Sequence, residues 1–127
     1  MLLNSKEIIE LSKISPVLVV GAKTEDFKNS TVLKANIPSK SLGVVNTATG
    51  IKTPLWLFQI LKGDASHQIV IEEIDSIDAY SQEKFYELLK YKTISNIDLP
   101  ENCNIIVTAK KLENVSANIA CLCQIVK

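Results

Sequence analysis

Apolar and polar positions along this chain fall into blocks that predict helices and strands by turns. Ile8, Leu11 and Ile14 recur at helical spacing behind Asn4, and Glu7 lies three residues past Asn4. That pattern predicts a capped helix over residues 4–14, which Pro16 stops. Val17-Leu18-Val19-Val20 follows, closed by Gly21. A run with no polar face fits a central strand covered on both sides. Thr31-Val32-Leu33-Lys34-Ala35 is a second strand candidate, and after a Ser/Gly/Thr-containing stretch over residues 39–50, Pro54 opens a helix carrying Trp56, Leu57, Ile60 and Leu61. Ile69-Val70-Ile71 predicts a third strand that runs into Glu72-Glu73-Ile74-Asp75. A helix over residues 79–91 comes next, with Phe85, Leu88 and Leu89 on one face, then a fourth strand from Asn104 to Ala109. A short helix near residues 112–119 and a last strand from Leu122 to Val126 complete the pattern.

Strands that alternate with helices specify an α/β fold, three layers around a mainly parallel sheet. There is no repeat, low-complexity tract or linker, so residues 1–127 are read as one domain. One stretch conflicts with this plan. Only residues 22–30 separate the first two strands, whereas a parallel crossover takes about a dozen residues or more. The second strand is therefore antiparallel or displaced, or residues 25–28 form a single helical turn.

Composition narrows the function classes. An apolar content of 46% excludes disorder, and no apolar run approaches the roughly 18 residues of a membrane span. The first residues show no basic segment followed by a long apolar one, so no secretory signal is expected. The 14 basic residues balance 14 acids, and every basic residue is a lysine. They are spread along the chain, which argues against a nucleic-acid patch, and no membrane partner is expected.

Three cysteines without a secretory signal point to free thiols in a reducing compartment, the cytoplasm. Cys121 and Cys123 would share one face of the predicted last strand. With Cys103 and the single His67 they form the one conceivable zinc set, but the spacing fits no zinc pattern and buried free cysteine is common. No metal is expected.

The order of segments resembles the core of AAA+ ATPases, in the MoxR-like and dynein-related branch. Pro54-Leu55-Trp56 with Ile60-Leu61 is similar to that branch's substrate-side helix. Ile69-Val70-Ile71-Glu72-Glu73-Ile74-Asp75 resembles Walker B, and Leu99-Pro100-Glu101-Asn102 before Ile105-Ile106-Val107 resembles the approach to sensor 1. The resemblance implies a P-loop NTPase-like fold, truncated because the chain ends at the last strand where the family continues into a helical lid. It covers residues 51–127 well and 7–21 loosely.

Each position that would carry ATP chemistry departs from the family. A P-loop aims consecutive backbone N–H groups at phosphates through a glycine-rich turn ahead of a helix. Gly21-Ala22-Lys23-Thr24 keeps the terminal Lys-Thr without the intervening loop, so Gly21, Lys23 and Thr24 are at most a relic of a nucleotide site. Each lost charge-assisted hydrogen bond is worth about 1.5–3 kcal/mol. Losing several costs more than about a thousandfold in affinity.

At the Walker B position Glu72 stands where the family has the magnesium-holding aspartate, and Glu73 matches the base that orients water. Neighbours on a strand point to opposite faces, so these two converge only if the strand has ended. A plain polar strand end is the simpler account of both, and Asp75 and Asp78 suit a loop and a helix cap. The sensor-1 asparagine falls at Lys110, and the arginine finger falls near Cys121 in a chain with no arginine. A finger is typically worth about 10³ to 10⁵ in rate.

The expectation is a catalytically degenerate, pseudo-ATPase domain that serves as a binding or assembly module. It would need no cofactor and would act through a protein partner or self-association. Two alternatives stand beside it. One is weak binding or hydrolysis of ATP with magnesium, with Glu73 acting in a site that another chain completes. The other is an unrelated small α/β regulatory protein, whose strand order would differ from the P-loop group's and whose Trp56, Phe58, Phe85 and Tyr86 would meet a partner. Aromatics at helical spacing are more often core.

Overall fold

A computed structural model describes residues 4–63 and 68–127. Five strands form one sheet: β1 (Val17–Val20), β2 (Thr31–Lys34), β3 (Gln68–Glu72), β4 (Asn104–Ala109) and β5 (Gln124–Val126). Their spatial order is β2-β3-β4-β1-β5 and every pairing is parallel. The three inner strands are the near-continuous Val/Ile/Leu runs, as burial on both faces demands. Among the described residues no helix is long and apolar enough to cross a membrane.

Helices cover both faces unequally. One face carries α2 (Ser39–Leu42), α3 (Leu55–Lys62), α4 (Ala79–Gln82), α5 (Tyr86–Tyr91) and α6 (Ala117–Ala120), whose Leu57, Ile60, Leu88, Leu89 and Ile119 join Leu18, Ile71 and Val107 in the main core. The other face is closed by α1 (Ser5–Ser12) through Ile8, and by Phe27 from the segment after β1. Helix α1 has the capping box read from the sequence: Asn4 Oδ1 accepts the Glu7 N–H at 2.9 Å, and Glu7 returns a bond to the Asn4 N–H at 3.2 Å. The helix stops at Ser12, so Ile14 lies beyond it and is exposed rather than on its apolar face.

The crossover conflict resolves by displacement. Strand β2 is parallel, but it pairs with β3 at the far edge, three strand spacings or roughly 14 Å from β1. Residues 21–30 span that distance with one 3₁₀ turn, Thr24–Asp26, and no α-helix. The predicted helix near 112–119 is a 3₁₀ turn, Leu112–Asn114, followed by α6. The last strand begins at Gln124, because residues 121–123 are still in the turn that leaves α6. Cys121 and Cys123 therefore do not share a strand face: Cys121 caps α6 and is exposed, and Cys123 is half-buried.

Gln82, fully buried at the end of α4, ties three segments together. Its Nε2 donates to the carbonyls of Ile77 at 3.0 Å and Asn114 at 2.9 Å, and its Oε1 accepts the Ser116 N–H at 2.6 Å. Between β2 and α3 the Ser/Gly/Thr stretch forms α2 and an antiparallel hairpin, Val45–Thr47 with Gly50–Lys52. A second hairpin, Thr93–Ile94 with Ile97–Asp98, turns through Ser95 and Asn96, both left-handed. The Glu87 carboxylate holds that turn, accepting from the Thr93 hydroxyl at 2.7 Å and from the N–H groups of Ser95 at 3.2 Å and Asn96 at 2.8 Å. Ser95 Oγ in turn accepts the Val44 N–H at 2.9 Å.

Partial burial alone would raise the Glu87 carboxyl, but those bonds outweigh it and hold the group below its ordinary value of 4.5. A carboxyl with a depressed folded pKa stabilises above its unfolded pKa and loses that contribution as pH falls through the folded value. Amide exchange of Ser95 and Asn96 is therefore expected to quicken as pH falls below about 4, after correction for the intrinsic rate. Glu87→Gln should remove that acid dependence.

Candidate functional site

The carboxyl ends of β1, β3 and β4 lie side by side, and an open cleft of about 450 Å³ is lined there by Gly21, Lys23, Thr24, Glu72, Glu73 and Lys110. The fold thus brings together the residues that the sequence singled out at three separate places. The outer end of a parallel sheet is the usual ligand position in α/β proteins. What each of its groups is bonded to decides what the cleft can hold.

The segment after β1 is a tight turn. Gly21 takes φ +92°, a conformation that favours glycine, while its N–H donates to the Ala109 carbonyl at 2.8 Å. The Lys23 N–H donates to Asp26 Oδ2 at 3.1 Å, and the N–H groups of Asp26 and Phe27 close onto the carbonyls of Lys23 and Thr24, each at 3.0 Å. Phe27 then plugs the second face beside Ile8, Val17 and Val19. The amides of Lys23, Asp26 and Phe27 are thus bonded within the turn, and that of Lys23 faces a carboxylate.

Strand β3 ends at Glu72, and Glu73 leaves it in the left-handed region at φ 53°. That end lets both glutamates line one cleft, the convergence that an uninterrupted strand would forbid. The Glu73 N–H donates to Thr108 Oγ1 at 2.9 Å, which gives this buried hydroxyl its partner. The Glu73 carboxylate lies 3.4 Å from Lys110 Nζ. With the two side chains 46% and 77% exposed, that ion pair is worth about 1 kcal/mol or less.

Asp75 Oδ2 accepts the N–H groups of Lys110 at 3.0 Å and Lys111 at 2.9 Å, fastening the end of β4 to the turn after β3. Asp78 N-caps α4 through the Ser81 N–H at 3.2 Å. Its carboxyl is held below the usual range, chiefly by its hydrogen bond with Ser81. Both aspartates thus have the loop and cap roles read from the sequence.

Three carboxylates (Glu25, Glu72, Glu73) face two ammonium groups (Lys23, Lys110) in this cleft. A polyanion entering it meets an excess of negative charge. Thr108 and Asp26 were not singled out beforehand. Thr108 is visible in retrospect as the polar residue closing the apolar run Ile105-Ile106-Val107. Nothing local marks Asp26 as the acid that turns back on Lys23.

No group of His, Cys, Asp and Glu among the described residues is arranged to hold a metal, and His67 lies outside those residues. Burial raises the Cys103 thiol to about 11. Burial and then the neighbouring Cys121 push Cys123 to about 12. Both stay protonated at neutral pH and are poor nucleophiles. Of the four aromatics, Phe85 is fully buried, Trp56 and Tyr86 are half-buried against the main core, and Phe58 is exposed.

Among solved structures the chain is similar to a protein of Cytophaga hutchinsonii that carries a provisional ATPase assignment. The TM-score is 0.54 at 11% identity, over 84% of this chain and 37% of that one. It is also similar to NtrX of Brucella abortus, with a TM-score of 0.51 at 12% identity over 89% of this chain and 31% of NtrX. The chain thus spans about a third of the length of each. No family model matches the sequence, and no curated protein does. At such identities the likeness shows the fold alone: a three-layer α/β unit with a parallel five-stranded sheet.

Proposed function

We propose that this domain is a catalytically degenerate AAA+-like module that binds or assembles with protein and performs no nucleotide chemistry. The observation that carries the reading is the turn after β1, a short 3₁₀ turn in place of a phosphate loop, where the Gly21 N–H goes to Ala109 and those of Lys23, Asp26 and Phe27 are bonded within the turn. The absence of arginine supports it, since an ammonium cannot replace a planar guanidinium fork at a phosphate. So does the excess of carboxylates over ammonium groups around Glu72 and Glu73. Lys110 occupies the place where the resemblance puts a neutral amide, and it lies against Glu73, the counterpart of the base.

A second reading draws on the convergence of Glu73, Lys110 and Lys23 in one cleft: weak ATP hydrolysis completed by another chain. One measurement separates the two. Isothermal titration with ATP and with ADP, each with magnesium, is expected to give no binding heat at hundreds of micromolar ligand. A micromolar dissociation constant would overturn the first reading in favour of the second.

A further inference from the structure

The two edges of the sheet are built differently. On β2 the Ala35 N–H donates to the Glu72 carbonyl at 3.0 Å, and the register sets Lys34 beside Glu72. In a parallel ladder alternate residues turn both backbone groups toward the same neighbour, so Val32 and Lys34 aim theirs outward. That edge is guarded. Lys34 is exposed on it, and the Lys34 carbonyl already accepts the Ile37 N–H at 2.9 Å. A lysine on an edge is a common device against pairing with another chain.

Strand β5 has no such guard. The Gln124 N–H donates to the Pro16 carbonyl at 2.8 Å, with Val17 beside Gln124 and Val19 beside Val126. Gln124 and Val126 therefore face β1, and Ile125 between them turns its N–H and C=O away from the sheet. Among the described strands β5 pairs with β1 alone. The Gln124 amide reaches the Leu11 and Ser15 carbonyls and Val126 packs on the second core, both on the α1 side. Ile125 points to the opposite face and is 45% exposed. Neither a charged residue nor a proline lies between Glu113 and Lys127.

We infer that β5 pairs antiparallel with β5 of a second copy of this chain, about a two-fold axis at Ile125, so that two sheets become one. Residues that face each other across such an axis exchange both N–H···O bonds, the two groups that Ile125 turns outward. The two Ile125 side chains then stand together on one face. Charge and symmetry select the occupant. A partner of unlike chemistry finds no charge on this edge to select it, whereas a copy finds an edge complementary to its own. The axis sets the two Lys127 residues roughly 13 Å apart along the strands, beyond a Debye length at physiological salt. Pairing of β5 with β2 of another copy would meet Lys34 and would not close. The inference rests on the reading of the domain as an assembly module and deepens it, and it uses no residue of the cleft at the ends of β1, β3 and β4.

Sedimentation velocity and amide exchange of the whole chain, each from micromolar to millimolar protein, test it. A monomer–dimer equilibrium is expected. The Ile125 amide should exchange about tenfold more slowly at the high end, while those of Gln124 and Val126, bonded to β1 throughout, change little. Ile125→Lys and Ile125→Pro should each leave a monomer; the proline removes an N–H that β1 does not use. Val32→Lys, on the guarded edge, should leave the dimer intact. A monomer at every concentration, an Ile125 amide indifferent to concentration, or a dimer that survives Ile125→Lys would each overturn the inference. So would a dimer dissolved by Leu55→Ser with Phe58→Ser on the exposed side of α3, or open-ended growth in place of a closed dimer. None of these outcomes bears on whether the cleft binds nucleotide, which the ATP titration reads separately.

Discussion

Phe27→Ala is expected to destabilise the domain by about 3–5 kcal/mol, the range for removing a fully buried phenylalanine. The position has an unusual burden. The segment that links β1 to β2 has no α-helix to lay on the sheet, so this ring, with the small half-buried Ala22 beside it, brings residues 21–30 into the second core with Ile8, Val17, Val19, Val70 and Ile106. Its loss leaves a cavity against four buried strand residues and unfastens the turn that occupies the head of the cleft. Urea unfolding followed by far-UV circular dichroism measures the cost. Hydrogen exchange should show the N–H groups of Lys23 and Asp26 losing protection before the sheet does. A loss under about 1 kcal/mol would mean that the turn is held by its own hydrogen bonds.

Gln82→Leu should cost about 2–4 kcal/mol although the side chain stays of similar size. The substitution strands the Ser116 N–H and the carbonyls of Ile77 and Asn114 in a buried place, and each orphaned group costs about 1–3 kcal/mol. Gln82→Glu keeps the acceptor for Ser116 but sets a carboxylate against two carbonyl oxygens. Its penalty should shrink in acid, where the protonated group regains a donor. Denaturant midpoints of the two variants at pH 7 and pH 4 check this, and a pH-independent Gln82→Glu would contradict the bonding described.

The sheet and its helices were legible where one residue pattern admits one environment. Val17–Val20 and Ile105–Val107 have no polar face, and burial on both sides of a parallel sheet is the outcome that satisfies them. Asn4 and Glu7 announce a capping box because that bonding is local. The hairpins were not legible. A two-residue pairing at Thr93–Ile94 carries no period, and its turn places Ser95 and Asn96 in the left-handed region because the Glu87 carboxylate reaches across to collect their N–H groups. The site divides in the same way. That Glu72, Glu73 and Lys110 would lie near the phosphate-loop position followed from the resemblance and the order of segments. That Asp26 would satisfy the turn is a tertiary fact of a short linker, invisible to spacing.

The bond from the Val44 N–H to Ser95 Oγ joins two segments that are far apart in the chain, and it has a consequence for how this fold can vary. Gly43 lies so close that a methyl group there would come within 2.6 Å of the same Ser95 oxygen. Any side chain at position 43 therefore demands a different residue or rotamer at 95, and with it a new arrangement of the loop that Glu87 gathers. The two loops form an epistatic pair, in which substitutions harmful singly are tolerated together and drift at one end is checked by the other.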